Sequence, residues 1–336
     1  MESKGLITPE AWRHFCGPIV PLARMDSYTW TQGQVFSAQI EVAQYGPKGL
    51  KGIPLPWELR DTRGRSVARG MLPARDYPQG RLVPAGEVTV PLAKLPAPAR
   101  YDLRLSLSTT DYENEYPLWV YPDAADTTPP ASCVISQGWD SETQSLLRAG
   151  KSVLLFPPPE SVKGVEGFLT TDYWCYPMFR SICEGGKKSV APGTMGLLIE
   201  ASHPALAAFP TESHSDWQWW DLVMGSRALV LDATPAQFRP IVQDIDNFER
   251  NHKLGFLLET RVDKGALLVC TLNLLHKQES PVARQMLHSL MNYARAGLQP
   301  KSVLPLETVN ALFATASPIG KQNPDPSFRD YFEKKP

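Results

Sequence analysis

At 336 residues the chain has room for about two domains, and 43% apolar with 21% charged residues is the make-up of an ordinary globular protein. Lys and Arg number 34 against 35 Asp and Glu, a net charge of −1, so no global field gathers nucleic acid or an anionic membrane. Five cysteines without CxxC spacing argue against a disulfide framework and a structural zinc site, and no apolar run approaches the ~18 residues of a membrane span.

The chain opens on a short helix, with Thr8 as N-cap and Pro9 at the first helical position of Glu10-Ala-Trp-Arg-His-Phe. From about residue 35 to 122 the period is two. Phe36, Ala38, Ile40 and Val42 alternate with polar residues, as do Leu55, Trp57 and Leu59, then Val88, Val90 and Leu92, then Leu103, Leu105 and Leu107. Short half-buried strands separated by turns predict an all-β, immunoglobulin-like sandwich over residues 23–122. Prolines 73, 78, 84, 91, 96 and 98 suit loops and edge strands.

Residues 123–131 (DAADTTPPA) are small, acidic and aperiodic, which reads as a linker. Beyond it, apolar runs at 133–135, 153–156, 195–199, 228–231 and 240–245 alternate with helical segments. A helix over 141–149 ends at Gly150, and a longer one from Ser280 closes at Gly297 with Val282, Met286, Leu290 and Ala294 as its apolar stripe. Residues 254–262 and 265–272 read as a hairpin closing one edge. A short helix near 307–314 follows, then a polar tail. Continuous apolar strands between helices predict an α/β domain over 132–298 with a mostly parallel sheet covered on both faces.

The most distinctive stretch is 209–222, FPTESHSDWQWWDL, with three of the nine tryptophans and one of the six histidines. Aromatic planes beside His and carboxylates suit a sugar, whose C–H faces stack while its hydroxyls need fixed polar partners. The competing reading is the apolar foot of a helix. A helix from about Ser215 places Trp217 and Trp220 on one face and Trp219 on another; Trp219 and His214 are expected at the surface, with Glu212 beside them. Ligands of open α/β sheets gather at the carboxyl ends of strands, here marked by Glu200, Asp232, Asp244 and Asp246. His203 and His214 lie in the loops that follow, and the polar run 246–253 adds Asn247. Carboxylate and histidine together allow binding or acid–base work, while helix capping and turn chemistry explain the same residues without a ligand. No G-x-C-x-G, G-x-S-x-G, Walker loop, G-x-G-x-x-G or HExxH occurs, so no motif points to a cofactor, a metal or a nucleophile.

Five segments in order resemble one family: ITPEAWRHFCGPIVPLAR, LPWELRDTRGRSVARG, DYENEYPLWVYP, HPALAAFPTESHSDWQWWDL and PIVQDIDNFERNHKLGFLLETRVDKGALLVCTLNL. Over about residues 6–297 they are similar to the C-terminal portion of family 2 glycoside hydrolases of β-galactosidase-like type. The resemblance implies an immunoglobulin-like sandwich followed by a class I glutamine amidotransferase-like, flavodoxin-like α/β domain without the amidotransferase nucleophile. It also implies an upstream barrel holding the catalytic glutamate pair, in cis or in trans, with residues 1–22 as the joining helix and linker and 299–336 as a C-terminal tail. No catalytic residue of the family transfers to a position here. The expected role is therefore accessory and non-catalytic, with carbohydrate as ligand and a homo-oligomer possible; a sugar-binding or hydrolytic α/β unit and a purely structural module stand as the other readings. Without an apolar signal segment near residue 1, a complete chain is expected in the cytoplasm, and a fragment of a larger glycosidase in the periplasm or outside the cell.

Overall fold

The computed structural model describes residues 5–169, 194–247 and 251–315. Cys175, Cys183, residues 248–250 of the polar run and the tail beyond 315 lie outside them. Two compact units divide between Ala124 and Ala125.

In the first unit, α1 (Pro9–Cys16) starts where Thr8 Oγ1 accepts from Ala11 N at 3.2 Å. It buries no residue, and Trp12 and Phe15 meet edge to face on its exposed side. Three antiparallel strands follow the order β1 (Ile19–Arg24), β3 (Val35–Gln44), β6 (Arg81–Pro91). Five more run β2 (Thr29–Thr31), β8 (Glu113–Tyr121), β7 (Ala99–Ser106), β4 (Leu50–Asp61), β5 (Ser66–Tyr77), with only β2 and β8 parallel. The period-two residues Phe36, Ile40, Leu55, Leu59, Val88 and Leu103 form one core shared by both sheets. Pro73 lies on the edge strand β5, and Pro84 and Pro91 lie on β6, where a missing amide costs no internal ladder bond. The Tyr101 hydroxyl donates to Pro96 O at 2.7 Å and pins the corner before β7.

The second unit holds an eight-stranded sheet. Its main path is β11 (Val165–Glu166), β13 (Arg227–Val230), β15 (Lys253–Val262), β16 (Gly265–Cys270), β10 (Ser152–Leu155), β9 (Cys133–Ser136). Off this path, β14 (Val242–Ile245) pairs with both β15 and β12 (Gly196–Ile199). Among the named strands of the described residues, β9–β10 and β10–β16 pair in parallel and the other pairs are antiparallel.

This corrects the expected architecture, an immunoglobulin-like sandwich followed by a mostly parallel amidotransferase-like or flavodoxin-like domain. Strands dominate the first unit, while in the second described strands and helices are about equal in extent and the sheet they accompany is mixed, with most of its pairs antiparallel. A continuous apolar run reports burial on both faces and carries no information on direction. The β15–β16 hairpin, expected at an edge, is central, which is why every residue of β16 is buried.

Among its described residues this unit also carries helices α2 (Ser141–Arg148), α3 (Trp217–Val223), α4 (Pro281–Ala296) and α5 (Leu306–Ala314). Val282, Met286, Leu290 and Ala294 of α4 are fully buried, each large one contributing about 1.5–3 kcal/mol of transfer free energy. Trp139 stacks on Phe313 of α5 at 5.5 Å and donates to Asn310 Oδ1 at 2.8 Å, tying the β9–α2 loop to that helix.

Candidate functional site

The segment 209–222 folds around one buried tryptophan. Asp216 caps α3 by accepting from Gln218 N at 3.2 Å, and Gln218 Nε2 reaches back to Pro210 O at 2.8 Å. Trp219 is wholly buried, edge-on to Phe209 at 5.5 Å, with Nε1 donating to Thr211 Oγ1 at 2.9 Å. Lys277 Nζ donates to Asp221 O at 2.6 Å and so satisfies a carbonyl at the C-terminal end of α3. The expectation of Trp219 at the surface is thus reversed. Trp217 and Trp220, three residues apart on one face, are 55% and 45% exposed.

His214 is exposed, and its residue bridges Leu198 of β12, as Ile199 N donates to Ser213 O at 2.9 Å and Leu197 N to Ser215 Oγ at 3.4 Å. Residues 213–215 therefore run beside β12, about 10 Å from β14 at the usual strand spacing. Gly196 pairs with Ile245, and Met195 N donates to Ile245 O at 2.7 Å. One end of the sheet accordingly holds Met195, Ile245, Ser215 and the approach to Trp217. Met195 and Ile245 are 42% and 40% exposed.

The same end gathers a polar cluster. Asp232 follows β13, Asp246 and Asn247 follow β14, and His252 precedes β15. Asp232 Oδ2 lies 2.7 Å from His252 Nδ1, and Oδ1 accepts from Lys253 N at 2.8 Å. A carboxylate only accepts, so Nδ1 carries the proton and the ring is held in one orientation. Asp246, buried, accepts from Asn247 N at 2.8 Å and from His252 N at 3.0 Å, which holds the residue before β15 against the end of β14. Asn247 is buried as well, and Asn251 N donates to its carbonyl at 2.9 Å. Lys253 Nζ bonds Thr234 Oγ1 at 2.9 Å and Pro235 O at 3.0 Å and sits 5.5 Å from the Phe238 ring; burial lowers its pKa.

Asp232, Asp246 and Asn247 are thus brought together, while Glu200 and Glu212 are not. Both are exposed; Glu200 N bonds Ile241 O at the other end of β14, about 13 Å along the strand from the cluster. His203 is buried and plays a different part. Its Nδ1 accepts from Ala205 N at 3.2 Å, and Nε2 faces Glu259 Oε2 at 3.6 Å. Residue types alone singled out neither His252 nor the exposed Trp217–Trp220 pair, although the run 246–253 contained the histidine.

Among the described residues, no group of three or more His, Cys, Asp or Glu is arranged to hold a metal. Cys16, Cys133 and Cys270 are free thiols, and burial pushes the Cys270 thiol up to about 12, so it is protonated and inert at neutral pH.

Residues 134–314 match the family described as a domain of unknown function (DUF8487), and residues 34–122 match a second, DUF8488. No curated protein matches the chain. Solved structures give slight likenesses. The Pseudomonas fluorescens alkylpurine DNA glycosylase AlkC, bound to DNA containing an abasic site analog, is 9% identical over 31% of this chain and 30% of its own, at a TM-score of 0.25. The Bacillus subtilis sporulation control protein Spo0M is 10% identical over 31% of this chain and 50% of its own, at 0.24. The Parabacteroides merdae β-glucuronidase is 12% identical over 42% of this chain, at 0.24, and the chain spans only 22% of that enzyme. Likenesses of this size are too slight to assign a fold or an activity.

Proposed function

We propose that this chain, which belongs to the DUF8487 family, is a non-catalytic accessory part of a β-galactosidase-like glycoside hydrolase, with a carbohydrate-binding surface at one end of its second sheet. The observation that carries the reading is the gathering at that end of exposed Met195 and Ile245, the approach to the exposed Trp217–Trp220 pair, and the oriented Asp232–His252 pair. A sugar needs both kinds of group, an aromatic or apolar plane and fixed polar partners. The ordered resemblance over residues 6–297 supports the accessory role, and the partner it requires is a catalytic barrel, in cis or in trans.

Native gel electrophoresis through soluble galactans and other β-glycans tests the reading. Retardation by at least one glycan is expected, lost in Trp217→Ala/Trp220→Ala, with no turnover of aryl β-galactosides by the chain alone. Unchanged mobility across all glycans would overturn the binding surface. Turnover would overturn the non-catalytic role. The Asp232–His252 contact of 2.7 Å favours a second reading, an acid–base unit in its own right. That reading requires a turnover abolished by His252→Ala.

A further inference from the structure

At the other end of the sheet path lies a cavity of about 330 Å³ between β9 and the first two turns of α2. That volume is at the lower end of the roughly 300–1,000 Å³ that hold small ligands. It sits past the carboxyl end of β9, whose neighbour β10 is parallel to it, the place where connections leave room for ligands.

Its floor is already fixed. Ser136 Oγ and Thr143 Oγ1 lie 2.7 Å apart and stand 2.9 and 2.8 Å from Gly138 O; with one proton apiece, one hydroxyl donates to that carbonyl and the other donates either to it or to its neighbour. Asp140 Oδ1 accepts from Thr143 N at 2.8 Å, so the helix N-terminus is occupied by a carboxylate and is no anion site. A Cβ on Gly138 would come within 3.1 Å of Asp140 Oδ2, so a larger residue there would shift the capping carboxylate slightly. The lining groups left over are the Gln137 amide and the Glu142 carboxylate, both exposed and both without a partner among the described residues. Val134 and Leu146 supply an apolar wall, and among the described residues no Lys, Arg or His lines the space.

We propose that this cavity binds a monosaccharide-sized polyol that carries no negative charge, with an ammonium-bearing one preferred. The amide donates to and accepts from hydroxyls, the carboxylate of Glu142 accepts a hydroxyl pair or pairs with an ammonium, and the apolar wall meets C–H groups. With Asp140 and Glu142 both presenting negative charge, an anionic sugar is repelled.

The test uses the full chain with glucosamine, galactose and glucuronate as probes, followed by amide chemical shifts and saturation-transfer NMR near neutral pH. Glucosamine is expected to bind up to about fivefold more tightly than galactose, the ratio one exposed charge pair carries, shrinking toward one at about 0.5 M salt. Glucuronate should not bind. Glu142→Gln should erase the preference, and Gln137→Ala/Glu142→Ala should abolish binding while the thermal midpoint stays at the parent value. Glucuronate binding as tightly as glucosamine would overturn the charge argument. Absence of any sugar binding, or binding that survives the double variant, would overturn the site. Trp217→Ala/Trp220→Ala keeps this binding, so failure here and failure of the sheet-end surface are separate results.

Discussion

Replacing Tyr293 by Phe removes one oxygen from a buried junction and leaves the ring packed. The hydroxyl lies 2.8 and 3.0 Å from the two oxygens of Glu259 and accepts from Gln299 N at 2.9 Å. The Glu259 side chain is 4% exposed, so without Tyr293 it keeps Gln299 N at 3.1 Å and a distant His203 Nε2 at 3.6 Å. A hydrogen bond to a charged group contributes about 1.5–3 kcal/mol, and a buried acceptor left short of donors adds its desolvation. The expected loss is about 2–3 kcal/mol, which for a unit of this size lowers the midpoint by about 4–12 °C. Urea denaturation read at the midpoint measures it; a variant within about 0.5 kcal/mol of the parent would refute the reasoning. Burial above all, with the Glu259 carboxylate adding to it, holds the Tyr293 phenol above its ordinary value of 10.0. The unfolded chain therefore releases this proton first. The stabilisation is complete below pH ~10 and declines as pH rises toward the folded-state value. The gap between parent and Phe variant should accordingly narrow above pH ~10, and a gap constant from about pH 8 to 11 would contradict this.

The three tryptophans of α3 should separate cleanly in the same denaturation assay. Trp219→Ala is expected to cost about 3–5 kcal/mol, while Trp217→Ala and Trp220→Ala each stay within about 0.5 kcal/mol. Gly164→Ala should free β11 from β13, because the added Cβ would lie 1.8 Å from Ala228 O; loss of amide-exchange protection at Val165 and Ala228 checks it. Asp232→Asn should raise exchange at the Lys253 amide, yet cost at most about 1 kcal/mol, since half of the Asp232 side chain faces solvent.

The faces of the first unit were legible because alternation writes them directly: Phe36, Ile40, Leu55, Leu59 and Leu103 fall inside one core as their period requires. Helical arithmetic likewise put Trp217 and Trp220 on one face. It could not say which face is buried, because the Phe209 ring and the Thr211 hydroxyl that receive Trp219 come from the preceding loop.

Strand direction was the costliest gap, and it governs the site. With parallel strands, Glu200, Asp232 and Asp246 would share one end, each standing just past a carboxyl terminus. In the actual sheet β12 runs antiparallel to β14, which carries Glu200 to the far end. Both β13 and β14 run antiparallel to β15, which keeps Asp232 and Asp246 together and brings the residues before β15 to meet them. His252 and Lys253 enter the cluster for that reason alone. Their own neighbours in sequence would never have paired them with Asp232, twenty residues upstream of His252.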